Sequence, residues 1–326
     1  MPNIIPIRVM LLFPYFLPEL DHDRRKILST LQRLVQMVQR PSPIQLHTSA
    51  KRPVTVVNRI TQRSPWFREA LQTVGVEADK WDFVHTWSVD TCQDWLGGWG
   101  KIIDDWREDT RQENLGILQI PGDLRDIGDS ESVSIEQFLK NLENLAHHIA
   151  LDKSDFMIGG YELISKGGKF LIDAYGTFPL LYNWFPAVAS QIREKRITSP
   201  RSEFLAGRVE FFDKMLVKHR RFAYEQTTVF LINALLATDT SGLVQQGPRV
   251  GQIDLGKIQD HTGDRGFREA IDQLERMERM MRLLWRVFHG GNAFDVDRYS
   301  LLDERSAAIR SAAVVTFRNF LQPSSL

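Results

Sequence analysis

Short apolar runs alternate with stretches of helical periodicity along most of this chain, and the alternation restricts its fold more than any single residue does. Residues 8–13 read as a buried strand. The next segment, 21–40, repeats Ile27, Leu31, Leu34, Val35 and Val38 on one helical face, and Pro41-Ser-Pro43 stops it. Further strands are expected at 54–57, 81–87, 114–120 and 155–158, and further helices at 65–74, 100–111, 134–149 and 229–236. Gly97-Gly98 is expected to loosen the chain ahead of the helix at 100. Such an order predicts an α/β sheet with helices on its faces. From residue 271 the pattern changes: Leu274, Met277, Met281, Leu284 and Trp285 recur at helical spacing up to His289-Gly290-Gly291, and a second helix follows at 299–321. The expected division is a main unit at 1–268 and a C-terminal helical extension at 269–326.

A chain of 326 residues can bury a large core. Its formal net charge is zero and its basic residues are scattered, which argues against nucleic acid as a partner. The single cysteine, Cys92, excludes an intrachain disulfide framework and a multi-cysteine zinc site. The apolar run at 4–17 contains Arg8, Pro6 and Pro14, lacks a small-residue cleavage site and is too short to span a bilayer. The expectation is a cytoplasmic protein without a membrane span; a homodimer is compatible with the sequence.

The sharpest local feature is Leu118-Gln-Ile-Pro-Gly-Asp-Leu124, an apolar strand ending in Gly122-Asp123. In open α/β sheets ligands bind beyond the carboxyl ends of the strands. A carboxylate there either holds a hard divalent cation or caps the next loop. Upstream, Gly97-Gly-Trp-Gly-Lys101 is either a turn with a solvated lysine or a place where Lys101 reaches a phosphate or a base.

In their order along the chain, these features resemble the retaining GT-A glycosyltransferases, notably the glucosyl-3-phosphoglycerate synthases. That family has a Gly-Lys-Gly helix start, then an apolar strand ending in Asp-Ser-Asp-Leu; Lys101 and Pro121-Gly-Asp123-Leu124 stand in that relation. Its Gly-Arg segment and Arg-Pro-Leu-Leu-Asn are similar to Gly168-Lys169 and Phe178-Pro-Leu-Leu-Tyr-Asn183. Its Pro-Leu-x-Gly-Glu-Tyr-Ala loop is similar to Pro200-Arg-Ser-Glu203-Phe-Leu-Ala206, and its Tyr-Gly-Val-Glu to Phe222-Ala-Tyr-Glu225. Its Gln-Val-Asp-Leu-Gly, with a later histidine and a Met-containing helix, is similar to Gln252-Ile-Asp-Leu-Gly256, His261 and the helix carrying Met277 and Met281. The chain departs from the family at Pro121, which replaces the first acid of Asp-x-Asp, and at Pro18-Glu19, where the family has Asn-Glu-Glu.

The resemblance implies a GT-A fold, a Rossmann-like mixed sheet flanked by helices, and a glycosyltransferase. The partners would be a UDP- or GDP-sugar and a small polar or phosphorylated acceptor. Asp123 and His261 would hold Mg²⁺ or Mn²⁺ across the donor diphosphate. Pro14, Glu19, Asp90, Lys101, Gly122 and Asp123 would line the donor site. Lys169, Arg201 and Ser202 would hold the acceptor, and Glu203 and Glu225 would be catalytic. Read from the residues alone, Glu203 is instead a loop acid paired with Arg201 or Arg208, Glu225 a helix N-terminal acid, His261 a surface residue, and Asp254 a loop-fixing residue. The aromatic segment 175–185 is either core or the wall of an acceptor site. Two other functions share this architecture: a non-catalytic GT-A domain that binds a nucleotide-sugar or a protein partner, and a nucleotidyltransferase. The latter normally has a Gly-rich first loop, and residues 11–18 contain no glycine.

Overall fold

The computed structural model describes residues 4–13, 21–39, 52–58, 62–86, 91–109, 114–122, 124, 127, 132–163, 171–219, 226–236, 248–258, 267–289 and 296–321. Its strands are β1 (Ile7–Phe13), β2 (Val54–Asn58), β3 (Asp82–Thr86), β4 (Gly116–Pro121), β5 (Phe156–Leu163), β6 (Leu205–Arg208) and β7 (Val250–Ile258). They form one sheet in the order β3-β2-β1-β4-β6-β5-β7. β6 is antiparallel to β4 and β5, and the other pairings are parallel. The parallel strands therefore all end at one edge of the sheet, and β6 begins there.

The helices are α1 (Asp21–Gln39), α2 (Pro65–Thr73), α3 (Thr91–Glu108), α4 (Ile135–Ala150), α5 (Phe178–Trp184), α6 (Pro186–Glu194), α7 (Val209–His219), α8 (Gln226–Leu236), α9 (Phe267–His289) and α10 (Val296–Leu321). A π-helical turn, Asp173–Thr177, leads directly into α5. β1 shows how the layers arise. Ile7, Val9, Leu11 and Phe13 join one core cluster, and Met10 and Leu12 join the other, because successive side chains leave a strand on opposite faces. Helices α1, α2 and α4 cover the first face; α3 and α5 to α10 pack into the cluster on the second. This is an α/β fold with a mixed sheet flanked by helices, as the alternation of patterns predicts.

α9 and α10 dock on α5: Asn183 Nδ2 donates to the Leu302 carbonyl (2.7 Å) and Trp184 Nε1 to Ser306 Oγ (3.2 Å). Among the described residues, no helix is long and apolar enough to cross a membrane.

Two expectations need correction. Gly97-Gly98 does not loosen the chain ahead of a helix, because α3 begins at Thr91 and runs through both glycines. A β-carbon on Gly98 would lie 2.4 Å from Val56 Cγ2 and 2.5 Å from Met10 Sδ, so this glycine lets α3 lie directly on the sheet. Residues 205 and 206 belong to β6 rather than to a loop. In β7, Asp254 fixes a strand irregularity: its carboxylate accepts from Gly256 N (2.8 Å), and Gly256 has a φ of +91° beside a register shift against β5.

Candidate functional site

β4 ends at Pro121, and the amide of the next residue, Gly122, donates to the Leu12 carbonyl near the end of β1 (2.8 Å). A β-carbon on Gly122 would lie 2.2 Å from the Phe13 ring, so glycine here serves the close approach of two strand ends. Because β6 is antiparallel, the segment before it arrives at this same carboxyl edge. Leu205 pairs with Gln119 of β4 and with Ile158 of β5, which puts residues 198–204 between the ends of β4 and β5.

Side chains from several elements hold that segment. Gln252 Oε1 accepts from Thr198 N (2.9 Å) and Ser199 N (3.4 Å). Gly160 leaves room for this glutamine, since a β-carbon there would lie 2.2 Å from its amide. Ser199 Oγ accepts from Tyr161 N (3.2 Å). Thr228 and Thr227 of α8 donate to the carbonyls of Pro200 (3.0 Å) and Ser202 (2.8 Å). Gln119 Nε2 donates to the Glu203 carbonyl (2.9 Å). Gln119 is fully buried, and its Oε1 accepts from nothing among the described residues. Buried carbonyls satisfied in this way make a loop with one conformation.

The predicted acceptor residues Arg201 and Ser202 are used by the fold. Arg201 Nη1 lies 3.3 Å from Asp173 on the π-helical turn, and its Nη2 donates to Gln273 of α9 (2.8 Å). Ser202 is buried, and its hydroxyl donates to the Gly159 carbonyl of β5 (2.6 Å). Both side chains anchor the loop from inside instead of facing an acceptor. Glu203 differs from them. It is half-buried, and its carboxylate has no hydrogen-bond or ion-pair partner among the described residues. The pairing with Arg201 or Arg208 is not formed, because Arg208 is engaged with Asp152 and Asp155.

Lys101 does not open a helix but lies in the middle of α3, with Nζ 3.6 Å from Asp105. Asp105 in turn accepts from Arg8, at the start of β1 (2.7 Å). That contact points Lys101 toward the strand starts, away from the edge that carries Gly122 and Glu203. The aromatic segment divides: Trp184 and Phe185 are core, whereas Tyr175 and Tyr182 are exposed. Pro14, Glu19, Asp90, Asp123, Lys169, Glu225 and His261 lie outside the described residues. Among the described residues, no group of three His, Cys, Asp or Glu side chains could hold a metal ion. Strands β4 and β7 themselves are three strand intervals apart in the sheet, or about 14 Å at ordinary strand spacing.

Gln119, Ser199, Thr227 and Thr228, which hold the loop, are not among the residues that the sequence motifs single out. A glutamine between leucine and isoleucine in an apolar strand, and two threonines opening an apolar helix, were the visible signals. No protein-family model and no curated protein matches the chain.

Proposed function

We propose that this chain has a GT-A-like fold and transfers a sugar from a UDP- or GDP-sugar to a small polar or phosphorylated acceptor. The observation that carries this reading is the loop at 198–204. It is held by buried hydrogen bonds at the carboxyl edge of the sheet, and it leaves the Glu203 carboxylate without a partner among the described residues. A fold that satisfies the carbonyls of a loop and leaves this half-buried acid unpaired at the sheet edge keeps the carboxylate available to a ligand. The mixed sheet and the similarity of residues 200–206 to the family's acceptor loop support the same assignment.

In this reading the donor diphosphate lies beyond Gly122. Asp123 and His261 would hold Mg²⁺ or Mn²⁺, which would supply a Lewis acid for the charge on the nucleotide diphosphate. The acceptor oxygen bonds to the anomeric carbon as that carbon's bond to the diphosphate breaks, and Glu203 takes the hydroxyl proton, so its contribution falls in the transition state. Replacing Glu203 with Gln is expected to lower kcat by about 10² or more while leaving the dissociation constant of the donor unchanged. The measurement is release of UDP or GDP from a panel of nucleotide-sugars, beside calorimetric donor binding. A variant that transfers sugar like the parent removes Glu203 from the reaction. The replacement of the first motif acid by Pro121 favours a second reading, a non-catalytic nucleotide-sugar-binding domain; donor binding without transfer to any acceptor would select it.

A further inference from the structure

Arg196 stands just past the end of α6 with a φ of +54°, a left-handed conformation that favours glycine. The turn is closed by backbone bonds from Lys195 N to Gln191 O (2.9 Å), Arg196 N to Arg193 O (3.0 Å) and Ile197 N to Ile192 O (2.9 Å). Among the described residues, one other non-glycine residue has a positive φ, Asp152 at 56°. The fold accounts for Asp152, because its carboxylate pairs with Arg208 and Arg249. The backbone of Arg196 is fixed by the helix end and by Gln252 Nε2, which donates to its carbonyl (3.3 Å), but among the described residues no acid pairs with its guanidinium. Its side chain is exposed, at a backbone position where glycine fits better.

A second arginine lies beside it. Arg193 donates to the Tyr182 hydroxyl, and its guanidinium carbon lies 5.3 Å from the centroid of the Tyr182 ring. No acid pairs with Arg193 among the described residues either. Both arginines line a cavity of about 340 Å³ between α5, α6 and the following turn, with Phe178, Ala189, Ile192 and Ile197 as its apolar part. That volume lies within the usual range of small-molecule sites. Arg193 and Arg196 are both exposed at this cavity, and each guanidinium offers a planar fork to carboxylate or phosphate oxygens. The apolar part takes a hydrocarbon or aryl body.

We propose that this cavity binds a small apolar molecule carrying one terminal oxyanion, a carboxylate or a phosphate monoester, gripped by Arg193 and Arg196. The site is separate from Glu203 and does not rest on the glycosyltransferase reading. The test is calorimetric titration of the full chain with octanoate, octyl phosphate and octanol, together with melting temperatures. At least one of the two anions should bind, octanol at least about tenfold more weakly, and the tighter anion identifies the head group. Arg193→Gln and Arg196→Gly should each weaken the anion by roughly tenfold or more, the usual effect of losing a charged hydrogen bond. Arg196→Gly should also melt at or above the parent temperature, because glycine suits the turn. The proposal is overturned if neither anion binds, if octanol binds as well as the anions, or if both variants bind like the parent. It is also overturned if Arg196→Gly melts lower, which would assign the guanidinium to the carbonyls at the end of α6.

Discussion

Arg8 is a charged residue inside an apolar strand, and the fold surrounds it with acceptors. It is 1% exposed, and it donates to Asp82 (2.5 Å), Asp105 (2.7 Å) and the Arg52 carbonyl (2.7 Å). One guanidinium thereby joins β1, β3, α3 and the chain entering β2. Replacing it with Met would leave Asp82 and the Arg52 carbonyl without this donor and Asp105 with Lys101 alone, a loss of about 3 kcal/mol. Urea unfolding should show this as a lower midpoint with an unchanged slope; a midpoint equal to the parent's would mean the cluster contributes nothing. Lys101 sits at the margin of the same cluster, and a pair of that kind contributes below about 1 kcal/mol. Lys101→Ala should therefore leave stability nearly unchanged, and because its ammonium is turned toward the strand starts, donor binding by that variant should match the parent's.

α3 lies against the sheet through Gly98. Gly98→Val would drive side-chain atoms into Val56 and Met10, forcing the helix outward at a cost of about 1–3 kcal/mol. Gly100, two residues on, has nothing within 4 Å of an added β-carbon, so Gly100→Ala should stabilise the same helix by roughly 0.5–1 kcal/mol. Opposite shifts in melting temperature are the expected result, and destabilisation by both variants would contradict the packing. The pair also shows what could be read from sequence. The long amphipathic helices and apolar strands were legible, because burial of one face imposes a period. Glycine was not, since a residue without a side chain signals either a break or a close approach, and only the neighbouring strand decides. β6 escaped because it is four residues long and follows directly on the loop; β7 escaped because Gly251, Asp254 and Gly256 interrupt its apolar pattern.

Across the whole molecule, charge clusters tie strand starts together on the side opposite the proposed site. Burial alone would raise the Asp155 carboxyl, but hydrogen bonds from the Arg249 side chain and backbone, with the charges of Arg249 and Lys214, hold it below its ordinary 3.8. The stability this gives is present above that value and lost as pH falls through the depressed one. The difference in unfolding free energy between the parent and Asp155→Asn should therefore shrink below pH 3.8; a difference that grows in acid would contradict the pairing. His147 and His148 are lowered by burial and by the charge of Lys153, so they favour the neutral form, and their contribution is lost as pH falls below 6.5. The candidate site was partly legible for a related reason. Glu203 stood out by its similarity to the family's acceptor loop, but Arg201 and Ser202 find their partners in Asp173, Gln273 and Gly159, from segments that spacing along the chain does not bring together. The proposed function requires a nucleotide-diphospho-sugar to bind beyond the carboxyl ends of these strands. Calorimetry with UDP- and GDP-sugars, in Mn²⁺ and again in EDTA, tests it most directly. One donor class should bind, Mn²⁺ should strengthen the binding, and Asp123→Ala should abolish this strengthening. No binding of either donor class in Mn²⁺ would contradict it.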